Sequence, residues 1–137
     1  MPRDRSCLST LAQALDLFDR VDPGRQGGIG VALESYHLWW HPDLEAGILR
    51  ARDRVDALHL SDWLVPTRDL LLDRGMMGDG VIDLAASCGA ADAAGYGGPV
   101  EVEIFSAEDW WRRDPDAVLE VCQARLDRLQ AQETAAR

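Results

Sequence analysis

The sequence predicts an α/β fold built on a three-stranded parallel sheet, in the order α-β-α-β-α-β-α. Two observations predict it. Three short apolar runs, IGVALES, VDALHLS and VEVEIF, alternate with longer stretches of helical periodicity. Each run also carries, near its C-terminal end, a residue able to hold a cation: Glu34, His59 and Glu103.

The elements follow in order. Leu8, Leu11, Leu15 and Phe18 recur at helical spacing, so a first helix runs to about Val21, capped by Ser6 or Ser9. DPGRQGG is a loop by its Pro and Gly content. IGVALES is largely apolar, as a strand covered on both faces must be. Pro42 suits the first turn of a second helix reaching about Arg54. VDALHLS is the second strand. A long loop runs from Asp62 to about Gly80 and contains Pro66, Arg68, Arg74 and the GMMGDG turn. A small-residue helix from about Val81 to Ala94 ends at Gly95, and VEVEIF forms the third strand. Asp114 and Pro115 open a last amphipathic helix to about Gln130, followed by a fraying tail.

The 137 residues suit a single domain, 1–137, without repeats or low-complexity segments. A net charge of -10 disfavours a nucleic-acid backbone or an anionic lipid surface as the main partner. All fourteen basic residues are Arg, which removes Schiff-base and P-loop lysines from consideration. Cys7, Cys88 and Cys122 are scattered, which suggests reduced thiols and a cytoplasmic location. No apolar run approaches the length of a membrane span.

Alternation along a strand places Glu101 with Glu103 on one face, and Ala57, His59 and Ser61 on one face. Two carboxylates on a parallel strand are costly to bury unless paired, hydrogen-bonded or bound to a cation. Glu103 therefore either ligates a metal or ends its strand in solvent or an Arg pair. His59 is a metal ligand or a satisfied core histidine. Oxygen and nitrogen donors from successive strand ends are how an α/β barrel assembles a divalent-metal site. His37, just past the first strand, either meets a substrate hydroxyl or lies on the surface. Arg68 and Arg74 either clamp an anionic group or pair with Asp69, Asp73 or Asp79. The Trp39-Trp40 and Trp110-Trp111 pairs follow the first and third strands and are best explained by packing against neighbouring loops.

Four ordered segments, ESYHLWWHPDL, ALHLSDW, LLDRGMMGDGVIDL and GYGGPVEVEIFS, resemble the sugar phosphate isomerase/epimerase family of xylose isomerase-like TIM barrels. The resemblance runs from about Leu8 to Leu126 and covers helix 5 through helix 8 of a (β/α)8 barrel. It implies a partial barrel truncated at its N-terminal half. It also implies a divalent metal, Mn²⁺ or Mg²⁺, with Zn²⁺ or Co²⁺ as further candidates. Glu34, His59 and Glu103 take three of the family's four ligand positions. Where this chain has Glu34 the family usually has Asp, and the strand 5 glutamate has no counterpart here. By the same resemblance His37 and Arg74 contact substrate, with Arg68 as an alternative for the loop arginine.

The implied chemistry is metal-assisted proton transfer α to a carbonyl of a sugar, sugar phosphate or inositol-like keto compound, through an enediolate. Glu103 serves as catalytic acid/base and the absent glutamate as its partner. The chain alone is then expected to be inactive. It would be half of a split enzyme completed by an N-terminal half, or a non-catalytic remnant or binding module. Exposed strand edges would favour self-association.

Overall fold

The computed structural model describes residues 7–24, 26 and 28–135. Three strands, β1 (Val31–Glu34), β2 (Val55–Leu60) and β5 (Val100–Val102), form a parallel sheet in the order β1-β2-β5. Glu34 is level with His59, and His59 with Glu101; Leu60 is level with Val102. The β1–β2 ladder shifts register between Val31 and Ala32, then runs evenly to the pair Glu34 and His59.

One face of this sheet is covered by helices. Leu33, Leu58 and Leu60 point into the apolar core with Leu11 and Leu15 of α1 (Leu11–Val21) and Ile48 of α3 (Leu44–Ala51). Leu84, Cys88 and Ala91 of α4 (Leu84–Ala93) and Leu129 of α5 (Pro115–Ala135) complete it. Alternation along the strands then turns Ala32 and Glu34, His59, and Glu101 and Glu103 to the opposite face. Ala32 and Glu101 are exposed there.

Local chemistry fixes the helices. The N-cap of α1 is Thr10, in a capping box with Gln13, so Ser9 does not cap it and Ser6 lies outside the described residues. Arg50 of α3 bonds Asp16 and Asp19 of α1 at 2.7 and 2.8 Å, joining the two helices. Asp83 caps α4 by accepting from Ala86 N at 2.9 Å. Past the end of α4, Gly95 adopts φ +91°, a left-handed geometry that favours glycine at a helix terminus.

Several boundaries differ from the sequence expectation, among them α4, which starts at Leu84 rather than Val81, and α5, which runs past Gln130 to Ala135. The chain turns directly from Glu34 into a one-turn helix, α2 (Ser35–Leu38). The helix expected from Pro42 starts at Leu44 and gives way to a 3-10 turn at Arg52–Arg54. The long loop has structure of its own: β3 (Asp62–Trp63) and β4 (Arg74–Gly75) pair antiparallel, Asp62 opposite Gly75 and Trp63 opposite Arg74. The third strand is shorter than VEVEIF, and Glu103 lies just past it, its N–H donating to Leu60 O at 3.0 Å. No helix among the described residues is long and apolar enough to cross a membrane.

Candidate functional site at the strand ends

Glu34, His59 and Glu103 stand at the C-terminal ends of the three adjacent parallel strands, the edge where open and closed α/β sheets keep their ligands. The side chains face one another across the sheet. His59 Nδ1 is 3.9 Å from Glu103 Oε2, and His59 Nε2 is 3.8 Å from Glu101 Oε2. His37, on α2, brings Nε2 to 3.1 Å from Glu34 Oε2.

Arg74 joins the two carboxylates. Its Nη1 donates to Glu34 Oε1 at 2.7 Å and to Glu103 Oε2 at 2.9 Å. The guanidinium lies between two rings, 4.6 Å from the Tyr36 centroid and 4.5 Å from that of Phe105. Its main chain is held twice, by pairing with Trp63 in the β3–β4 ladder and by the bond from Arg74 N to Phe105 O at 2.9 Å. The side chain is only 3% exposed, and its Nε has no hydrogen-bond partner among the described residues.

These contacts set the charge on Glu34. Burial works to raise its pKa, but the bond from His37 and the nearby Arg74 charge outweigh that and hold the carboxyl below its ordinary value. Glu34 is therefore an anion at neutral pH.

Arg68 stays outside this group. Its main-chain N–H and its guanidinium both bond Asp73, and the side chain is largely exposed. Asp73 itself is buried, and the Arg68 bond holds its pKa below the usual carboxylate value, against the opposing effect of burial. The ion pair braces the loop immediately before Arg74. Of the two tryptophan pairs, one member of each packs, with Trp39 near Trp63 and Trp110 buried with Arg113 over its ring, while Trp40 and Trp111 are exposed.

One residue of the site's framework was missed from the sequence. Asp62, wholly buried at the start of the loop, accepts four backbone N–H groups. Trp63 and Ile82 donate to Oδ1, at 2.8 and 2.9 Å, and Gly78 and Gly80 donate to Oδ2, both at 2.9 Å. The glycines of GMMGDG were the available signal, because close backbone approach to a carboxylate needs them. Gly80 passes so near β3 that a Cβ there would lie 2.2 Å from Trp63 O.

Among the described residues no three His, Cys, Asp or Glu side chains are arranged to hold an ion. The chemistry of the donor set nevertheless suits a divalent cation: two carboxylates and an imidazole converge on one face. A cavity of about 310 Å³ lies elsewhere, in the helical layer between the start of α4 and Arg125 and Leu129 of α5.

The profile of the xylose isomerase-like TIM barrels matches residues 1–121. The chain belongs to that family. The family's barrel has eight strands, of which this structure presents three in parallel order. A crystal structure of a protein from Sinorhizobium meliloti is similar at 49% identity and TM-score 0.85, over 90% of this chain and 44% of that one. The IolI protein, described with a bound zinc atom, matches at 22% identity and TM-score 0.72, over 91% of this chain and 45% of its own. A xylose isomerase domain protein from Alicyclobacillus acidocaldarius matches at 23% identity and TM-score 0.74, covering 91% and 44%. At these identities the last two establish the fold alone. The chain thus spans a little under half the length of each of these relatives. Comparison with curated proteins returns no match.

Proposed function

We propose that the strand ends form part of the metal and proton-transfer site of a sugar or sugar-phosphate isomerase/epimerase. The observation that carries this is the convergence of Glu34, His59 and Glu103 at three neighbouring strand ends, with both carboxylates within 3 Å of one nitrogen. Glu34, His59 and Glu103 would hold a divalent ion, Mn²⁺ or Mg²⁺ by donor type, with Zn²⁺ or Co²⁺ as alternatives. The zinc bound by IolI supports the choice of metal class. Such an ion, when bound, supplies Lewis acidity toward a carbonyl oxygen.

The chain's own residues provide the remaining functions. Glu103, more exposed than Glu34, is the group placed to move a proton at the carbon next to that carbonyl. Glu34 stays ionised and holds charge. His37 is within reach of a substrate hydroxyl beside Glu34, and Arg74, buried and bonded to both carboxylates, would meet anionic substrate oxygens only on leaving them. Arg68, tied to Asp73, would act on substrate only through the loop it braces. The substrate class is a small sugar, sugar phosphate or inositol-like keto compound, rather than nucleic acid or membrane.

The edges of the sheet bear on a second reading. Among the described residues β1 and β5 each have a strand neighbour on one side only, and Ala32 and Glu101 are exposed on the face they share. A strand paired with β1 would bring a fourth ligand and second base next to Glu34. This chain would then act as one half of a barrel, and without that strand as a binding module.

The test is to follow thermal unfolding of the chain during a Mn²⁺ titration, then repeat it with Glu103→Gln and His59→Ala. Stabilisation that both substitutions abolish is the expected result. No metal effect, or the same effect in the variants, would refute the site.

A further inference from the structure

We infer that Arg74 is a built-in counter-cation for the metal ligands, and that a divalent ion must displace its guanidinium from Glu34 and Glu103 to bind. This rests on the proposed role of Glu34, His59 and Glu103 as ligands.

Three observations support displacement rather than coexistence. First, Nη1 already uses Glu34 Oε1 and Glu103 Oε2, oxygens that face the shared centre, so a cation ligated there competes for the same lone pairs. A guanidinium left within about 4 Å of a divalent ion would add repulsion, since Arg74 and Glu34 are largely buried although Glu103 is partly exposed. Second, the guanidinium is not locked in its place. Its Nε is buried without an acceptor, so this pose forgoes a hydrogen bond that another pose can recover. Third, the directed bonds of the Arg74 head run mainly to the oxygens an ion would take. The backbone is fixed by Trp63 and Phe105, the guanidinium faces the rings of Tyr36 and Phe105, and Nη1 donates to Glu34 Oε1, to Glu103 Oε2 and, at 3.4 Å, to Glu103 O. Once an ion takes the carboxylate oxygens, the ring faces that remain do not fix the cation's position as directed bonds do.

The consequence is a site whose metal affinity is weakened by its own arginine. With the guanidinium in place, Glu34 and Glu103 are neutralised and held near each other. When an ion binds, it takes over that neutralising role and frees a cationic side chain at the rim of the site.

The experiment compares Mn²⁺ affinity by calorimetry in the wild-type chain and in Arg74→Gln, with Glu103→Gln and His59→Ala as ligand controls. The expected result is that Arg74→Gln binds Mn²⁺ on the order of tenfold more tightly than wild type or better. Equal or weaker binding by Arg74→Gln, with the ligand controls still losing metal, would overturn displacement and leave the ligand assignment standing. Absence of binding by every form would overturn both. A second measurement needs no variant to fold: arginine side-chain ¹⁵N spectra of the wild-type chain during a Mg²⁺ titration. One buried Arg Nε signal should move on saturation as the guanidinium leaves the carboxylates. Unchanged signals at saturation would overturn the proposal.

Discussion

Glu34 ends one edge strand of the sheet and Glu103 lies just past the other, yet they share a single nitrogen, Nη1 of Arg74, at 2.7 and 2.9 Å. The order β1-β2-β5 places β2 between them, and Arg74, from outside this sheet, spans that distance. Removing that side chain leaves two facing carboxylates and a gap between the Tyr36 and Phe105 rings. Arg74→Ala should lose roughly 2–4 kcal/mol of stability, less than for a fully buried pair because Glu103 is about one-third exposed. Urea unfolding at neutral pH without divalent ions measures this; a loss below ~0.5 kcal/mol would mean the carboxylates are not held together in solution.

Glu34→Asp shortens the carboxylate that Arg74 holds at the end of β1. The shorter side chain withdraws its oxygen from Arg74 by about one methylene, while keeping a carboxylate at the end of β1. Metal binding should survive, and a weaker grip on Arg74 should leave the Mn²⁺ dissociation constant equal to or below the wild-type value. Calorimetry of Glu34→Asp beside Glu34→Ala separates the two contributions, since the alanine variant should lose the ion.

The parallel sheet and the three strand-end donors were legible in the sequence because they depend on strong, regular signals. VDALHL reads as a strand since Leu58 and Leu60 must be buried while His59 points the other way, and the structure has them so. What was hidden depends on contacts made across sequence. The β3–β4 pairing involves two residues per strand, too few to leave a periodic pattern. Arg74 and Arg68 look alike in sequence, two arginines in one loop, and were both open to substrate or ion-pair roles. Only the fold separates them, because Phe105 and Tyr36 enclose Arg74 whereas Asp73 takes Arg68. Asp62 was passed over since a strand-end aspartate resembles any loop residue until its four donors, one adjacent and three across the loop, are seen to converge on it.

Asp62 should accordingly be among the costliest polar positions to change. Asp62→Ala leaves four backbone N–H groups without their acceptor, two of them on glycines that have no side chain to compensate. A loss of roughly 3–5 kcal/mol is expected, with faster amide hydrogen exchange at Gly78, Gly80 and Ile82. Unaltered exchange at those three amides would contradict the proposed cage. Asp62→Asn, which keeps one carbonyl oxygen, should fall between.

The Asp73–Arg68 pair gives a pH dependence whose sign follows from the lowered Asp73 pKa. The folded state binds this proton less readily than the unfolded chain does. Its stabilisation is therefore complete above the ordinary carboxylate range and is lost as pH falls through the lower, folded value. In wild type, urea midpoints should drop as pH is taken from 6 toward about 3. In Asp73→Asn that part of the drop should be missing; identical pH profiles would show that the pair contributes nothing.

Gly80 provides the most local test of how the loop after β2 is built. The segment crosses β3 so closely that Val81 N donates to Trp63 O at 3.1 Å, and Gly80 N donates to Asp62. A methyl group at Gly80 would stand 2.2 Å from Trp63 O and 2.6 Å from Asp62 Oδ1. The first of these is backbone, and the second belongs to a carboxylate already fixed by its donors, so neither can turn aside. Gly80→Ala must lift the loop away from β3 and loosen the bonds to Asp62. We expect a loss of roughly 2–4 kcal/mol, combining overpacking with weakened buried hydrogen bonds. Because the same loop positions Arg74 through its pairing with Trp63, the arginine Nε signal should broaden or shift as well. Wild-type stability in Gly80→Ala would show that this crossing does not exist in solution, and a stability loss with an unchanged Arg74 signal would uncouple the Asp62 cage from the carboxylate bridge.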